Sequence, residues 1–174
     1  MKARHVSALN LLPALAVLIL AGWFGSSPAT AQDAFTGQWI IEPSSKSDRL
    51  HLSLAYPSHG RNYGHNTSGF GITLDRLQGL TQAQMMSSGS RVVFQLVRDA
   101  GTLNCEGWFK EGKGSGHFVF APNTRFAAEL AQRGYQAPTE AQQFSMTLSD
   151  ISLAFIDELK AQGYERPSIE QLVR

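Results

Sequence analysis

Arg91-Val-Val-Phe-Gln-Leu-Val-Arg98, Asp99-Ala-Gly101, Thr102-Leu-Asn-Cys-Glu-Gly-Trp-Phe109, Lys110-Glu-Gly-Lys113 and Gly114-Ser-Gly-His-Phe-Val-Phe120 follow one another without interruption. The longer pieces alternate apolar and polar residues, the period of a strand with one buried face. The connectors between them are short and carry glycine, as hairpin turns do. The stretch therefore predicts a three-stranded antiparallel meander. Cys105 lies within the alternation and is expected to be a buried packing residue, not a reactive thiol. As the single cysteine of the chain it cannot form an internal disulfide.

Upstream, Arg49-Leu-His-Leu-Ser-Leu-Ala-Tyr56 is the clearest further strand. Leu50, Leu52, Leu54 and Tyr56 share one face, which places Arg49, His51 and Ser53 on the solvent side. With a strand over Phe35 to Glu42, the β-rich segment 32–122 should hold about five or six strands. Pro57-Ser-His-Gly-Arg-Asn-Tyr-Gly-His-Asn66 is too poor in apolar residues for a core and predicts a long exposed loop carrying His59, Tyr63 and His65. Long loops over a rigid sheet often carry function.

Downstream of Pro122-Asn123 the period becomes helical, and segment 123–174 contains an internal repeat. Phe126-Ala-Ala-Glu-Leu-Ala-Gln-Arg-Gly-Tyr135, with Pro138 and Gln142, matches Phe155-Ile-Asp-Glu-Leu-Lys-Ala-Gln-Gly-Tyr164, with Pro167 and Gln171. Gly134 and Gly163 follow a helix where a left-handed residue is wanted, and Tyr135 or Tyr164 should pack back on Leu130 or Leu159, as in a Schellman stop. Thr139-x-x-Gln142 and Ser168-x-x-Gln171 have the spacing of capping boxes that start the next helix. Ile151, Phe155 and Leu159 fall on one face of the second copy. Two such short units are fewer than the roughly three that a free-standing stack needs, so their apolar stripes must close on the sheet, on each other or on a partner.

The first 31 residues predict a cleavable signal peptide. Lys2 and Arg4 form a basic start, Leu11 to Phe24 an apolar core, and Ala29-Thr-Ala31 a small-x-small cleavage site, which makes Gln32 the expected first residue. The apolar core falls short of the roughly 20 residues of a membrane span, so no permanent span is expected after cleavage. The mature chain, about 140 residues, is long enough to bury a core without staples. Loss of Lys2 and Arg4 leaves it near neutral, with no basic field to attract nucleic acid. The expected location is periplasmic or secreted.

Arg98-Asp-Ala-Gly-Thr102, Gly112-Lys-Gly-Ser-Gly-His-Phe118, Asp150-Ile-Ser-Leu-Ala-Phe-Ile-Asp-Glu-Leu159 and Gly163-Tyr164 resemble a group of secreted bacterial proteins in which a β-rich segment precedes Gly-Tyr helical repeats. Similar repeats occur in the extracytoplasmic part of some sensor-type membrane metallopeptidases. The resemblance covers most of the chain from Gly37 onward and implies an α+β fold, an antiparallel sheet or half-barrel followed by short tandem helical repeats. No peptidase motif accompanies the repeats, so no peptidase activity is implied.

Other motifs dissolve on inspection. Gly107-Trp-Phe-Lys-Glu-Gly-Lys113 imitates a phosphate-binding loop, but Gly114 stands where Ser or Thr should hold magnesium, and the stretch joins strand to strand. Gly37-Gln-Trp39 has the Gly-x-Trp form that opens lipocalin-type barrels, which leaves a carrier of an apolar small molecule as one reading. His59 and His65 share a loop without metal-site spacing, and no Gly-x-Ser-x-Gly frames a nucleophile. A small hydrolase or metal-dependent enzyme built on that loop is a second reading. The leading expectation is a non-enzymatic binding or interaction module of the cell envelope, with no cofactor, no bound metal and a protein partner. His59, Tyr63, His65, Phe155, Leu159 and Leu172 are the candidate interaction residues.

Overall fold

The computed structural model describes residues 35–44, 49–58, 64–164 and 166–174. The predicted leader 1–31, His59 and Tyr63 lie outside them. The elements run β1 (Thr36–Pro43), β2 (Leu50–Pro57), β3 (His65–Ile72), a 3₁₀ turn (Leu74–Arg76), β4 (Leu77–Gln78), α1 (Gln82–Met85), β5 (Ser90–Arg98), β6 (Gly101–Lys110), β7 (Lys113–Pro122), α2 (Thr124–Gln132), α3 (Glu140–Leu148), α4 (Leu153–Ala161) and α5 (Ile169–Leu172). The fold is α+β. Among the described residues seven strands form one open antiparallel sheet in the order β3-β2-β1-β7-β6-β5-β4, so the half-barrel alternative gives way to a sheet with two edges.

Two meanders, β1-β2-β3 and β5-β6-β7, are joined where β1 pairs with β7, with Trp39 opposite Gly116. The β6–β7 hairpin turns on Glu111 and Gly112, both at positive φ (52° and 82°). This two-residue turn matches the twist of the strands, and it is a strand-to-strand connection with no helix facing a phosphate. Strand β3 corrects the predicted loop. His65 and Asn66 already belong to an edge strand, with His65 opposite Pro57 and Phe70 opposite Leu52. Its exposed residues are His65, Asn66, Thr67, Gly69 and Gly71, which is why period-two apolar patterning did not mark it.

One face of the sheet buries Trp39, Leu52, Leu54, Phe94, Leu103, Cys105, Phe109 and Phe118. Trp39 lies across a pair of facing glycines, Gly107 and Gly116; a Cβ on either would collide with the opposite strand, and on Gly107 with the indole as well. The strands can therefore pass beneath the indole, whose N–H donates to the carbonyls of Glu106 and His117, each 3.1 Å away. The packed face is thus filled by large side chains. Burial pushes the Cys105 thiol up to about 12, which removes thiolate reactivity at neutral pH.

Helix α3 closes one end of this face through Phe144, which stacks on Phe35 at 4.2 Å and meets Phe120 edge-on at 5.3 Å. The opposite face is open to solvent and presents Ile40, Val93, Trp108 and Val119.

The β5–β6 turn anchors the helices. Ala100 O accepts from the Asn123 backbone N–H and from Gln143 Nε2. The Asn123 side chain caps α2 and donates to Asp99 O. Asp99 Oδ2 accepts the first N–H of α4 from Leu153 at 3.0 Å, so this turn residue is also a helix cap. Arg98 donates to the Thr147 and Leu148 carbonyls at the end of α3 and lies 4.9 Å over the Phe70 ring. Its Nε sits 3.2 Å from Asp150 without the alignment of a hydrogen bond. Burial pulls the guanidinium below its ordinary value, opposed by the charge of Asp150 and reinforced by that of Arg76.

Candidate partner-binding surface

The two Gly-Tyr segments share their backbone signals. Gly134 and Gly163 sit at φ 83° and 84°. Tyr135 N–H reaches Leu130 O and Tyr164 N–H reaches Leu159 O, each at 3.1 Å, the outer bond of a Schellman stop. Thr139/Gln142 and Ser168/Gln171 both form complete capping boxes. Helices α2 and α4 are in contact, as are α3 and α5, so first helix meets first and second meets second.

Side-chain burial breaks this likeness. Phe126 is 1% exposed and Leu130 0%, within a second core formed by Ala100, Met146, Ile151, Ile156, Ile169 and Leu172. Phe155, the counterpart of Phe126, is 43% exposed, and Tyr164 is 61% exposed while Tyr135 is half-buried. The expected face Ile151-Phe155-Leu159 is therefore corrected. Ile151 and Ile156 point inward and Leu159 is half-buried, while Phe155 faces solvent, because α4 presents its other side to α2. Tyr164 likewise keeps the backbone bond of the stop without burying its ring. Leu172 is a further correction: at 9% exposure it belongs to the core and not to a contact surface, since the Ser168 box turns α5 so that Ile169 and Leu172 point inward.

Polar bonds stitch the first segment to the second. Arg133 grips Asp157 bidentately at 2.8 and 2.9 Å, while its Nη1 is held by Glu129. That pairing, led by the direct hydrogen bond from Arg133, holds the Asp157 carboxyl below the usual range. Arg166 Nη1 donates to Gly134 O at 2.8 Å, and Gln142 Nε2 to Glu170 Oε1 at 2.9 Å. The Glu170 carboxyl is held low by its own backbone N–H first, then by Gln142 and Ser168. At the seam between the two corners lies a groove of about 580 Å³, bordered by Tyr135, Lys160, Tyr164 and Arg166.

Phe155 and Leu159, two of the sequence-predicted residues, thus lie together on α4, and Tyr164, the residue sequence reasoning missed, stands just beyond its end. The signal for Tyr164 was present in the repeat, as the counterpart of Tyr135. His65 is exposed at the start of β3 and shares with His117 a separate groove of about 620 Å³ on the sheet, away from the helical surface. Among the described residues no group of three or more His, Cys, Asp or Glu could hold a metal ion, and no helix is long and apolar enough to cross a membrane.

The class defined by this geometry is an α+β protein with an open antiparallel sheet and helices anchored at the β5–β6 turn. No family model, curated sequence or solved structure matches the chain.

Proposed function

We propose that the protein is an exported, non-enzymatic interaction module of the bacterial envelope, periplasmic or secreted, of the kind the sequence resembles. One observation carries the reading: the side chains that bury the first Gly-Tyr segment have counterparts in the second that stand in solvent, Phe155 and Tyr164. Exposed aromatic side chains on a well-anchored surface are frequent anchors of a protein interface. The leader delivers the chain to the envelope, and the sheet serves as the scaffold that orients the helical surface.

In-cell crosslinking tests this. The mature protein should begin at Gln32 by intact mass, and one identified envelope protein should be recovered with the wild type. Recovery should be lost with Phe155→Asp and retained with Val93→Asp, which changes an exposed residue on the open face of the sheet. Equal recovery from the wild type and Phe155→Asp overturns the proposal.

A further inference from the structure

We propose that the partner carries a Gly-Tyr helical unit of its own, which docks on the exposed side of α4 and α5 as α4 and α5 dock on α2 and α3. This rests on the interaction-module reading and names the occupant of its surface. The argument comes from which residues the two copies share. Phe126, Leu130, Gly134, Tyr135 and Gln142 are identical in the second copy. In the first copy they are the residues that receive the second. Phe126, Leu130 and Tyr135 belong to the core shared with Ile156, Ile169 and Leu172, Gly134 O accepts Arg166, and Gln142 holds Glu170. Phe155, Leu159, Gly163, Tyr164 and Gln171 therefore repeat a receiving face, and two of its aromatic members are uncovered. Gln171 also caps Ser168 through Oε1, as Gln142 caps Thr139, an arrangement that in Gln142 leaves the amide NH₂ for its neighbour.

The docking side of the unit has its own signature: Ile156, Asp157, Arg166, Ile169 and Leu172. The first copy carries Ala127, Ala128, Ala137, Glu140 and Gln143 at those positions, and Gln143 is spent on Ala100 and Asn123. In a second copy of this chain the docking side of the second segment is already engaged with the first, and the first offers none, which is why the occupant is a partner unit of the second-copy type. Its acidic residue would not find an arginine, since Gln162 replaces Arg133 and is bonded to Glu158, so the fit is mainly apolar.

The test supplies such a unit in two ways. A duplicate of residues 146–174 is fused after Arg174, which keeps the repeat in step, and the same segment is offered as a free peptide to isotope-labelled mature protein. The fusion should raise the melting temperature by about 5 °C, protect amides of the added segment from exchange, and lose both effects with Phe155→Asp. The peptide should shift resonances of residues 153–164 and 169–174, and a scrambled peptide should not. An added segment that exchanges like a free chain, with the melting temperature unchanged, overturns the inference even if an envelope partner dependent on Phe155 has been found, and then the interaction-module reading stands alone. A wild-type dimer in ultracentrifugation that Phe155→Asp dissociates also overturns it, in favour of self-association.

Discussion

Phe126 and Phe155 occupy the same place in two matching segments, yet one is 1% exposed and the other 43%. Their helices end on the same stop, with glycine φ of 83° and 84°, and start their successors with the same box. What differs is the neighbour. The first copy sits between the sheet and the second copy, while among the described residues the second copy has a neighbour on one side only. Local signals set where a helix begins and ends, and the order of stacking sets which of its side chains leave water.

The strongest way to break this comparison is to truncate the two phenylalanines. Phe126→Ala should lose about 3–5 kcal/mol in urea unfolding, as for a fully packed aromatic ring, while Phe155→Ala should lose less than about 1 kcal/mol. Similar losses would mean that the second ring is covered in solution. The sheet's hold on each copy gives the next contrast. Arg98→Met leaves the Thr147 and Leu148 carbonyls short of a buried donor and should cost about 2–3 kcal/mol. Asp99→Ala removes only an exposed cap of α4 and should cost about 1 kcal/mol.

The stop glycines sharpen the comparison further. Gly134→Ala and Gly163→Ala each place a side chain at positive φ, for about 1 kcal/mol apiece. A Cβ on Gly134 would also come within 2.9 Å of the Arg166 guanidinium, which must shift from its bond to Gly134 O. Gly134→Ala should therefore be the more damaging of the two by differential scanning calorimetry. The smallest effect concerns the ion pair between the copies. With the Asp157 carboxyl held low by Arg133, its contribution is fully present above the pKa of an unfolded aspartate, near ~3.9, and is lost as pH falls through the lower folded value. Asp157→Asn should lower the melting temperature slightly at neutral pH and flatten the acid limb of the curve, the two proteins converging as pH falls through the lower folded value. Added salt should shrink the difference, because the pair is exposed.

Much of this architecture was legible from residues alone. The β5-β6-β7 meander declared itself because apolar residues alternate over Arg91–Phe120 and glycine marks its turns. The outward placement of His51 followed from the alternation in β2. Strand β3 and the Leu74–Met85 segment did not announce themselves. The first is an edge strand of Asn, Thr, Ser and Gly whose order comes from pairing with β2, and the second buries single residues such as Leu77 and Met85 rather than a periodic face. On the candidate surface, the sequence singled out Phe155 and Leu159 but also Leu172, because a four-residue helix has too few positions for periodicity to say which way it faces.

By itself the sequence determined the alternating strands, the Glu-Gly hairpin, both Gly-Tyr stops and both capping boxes, all of which depend on backbone preferences within a few residues. Only the tertiary structure decided that Arg98, Asp99 and Ala100 gather the helices at one turn, and that Phe126 is covered while Phe155 is not. Burial depends on what lies across a packing interface, and two segments with nearly the same local instructions meet different neighbours there.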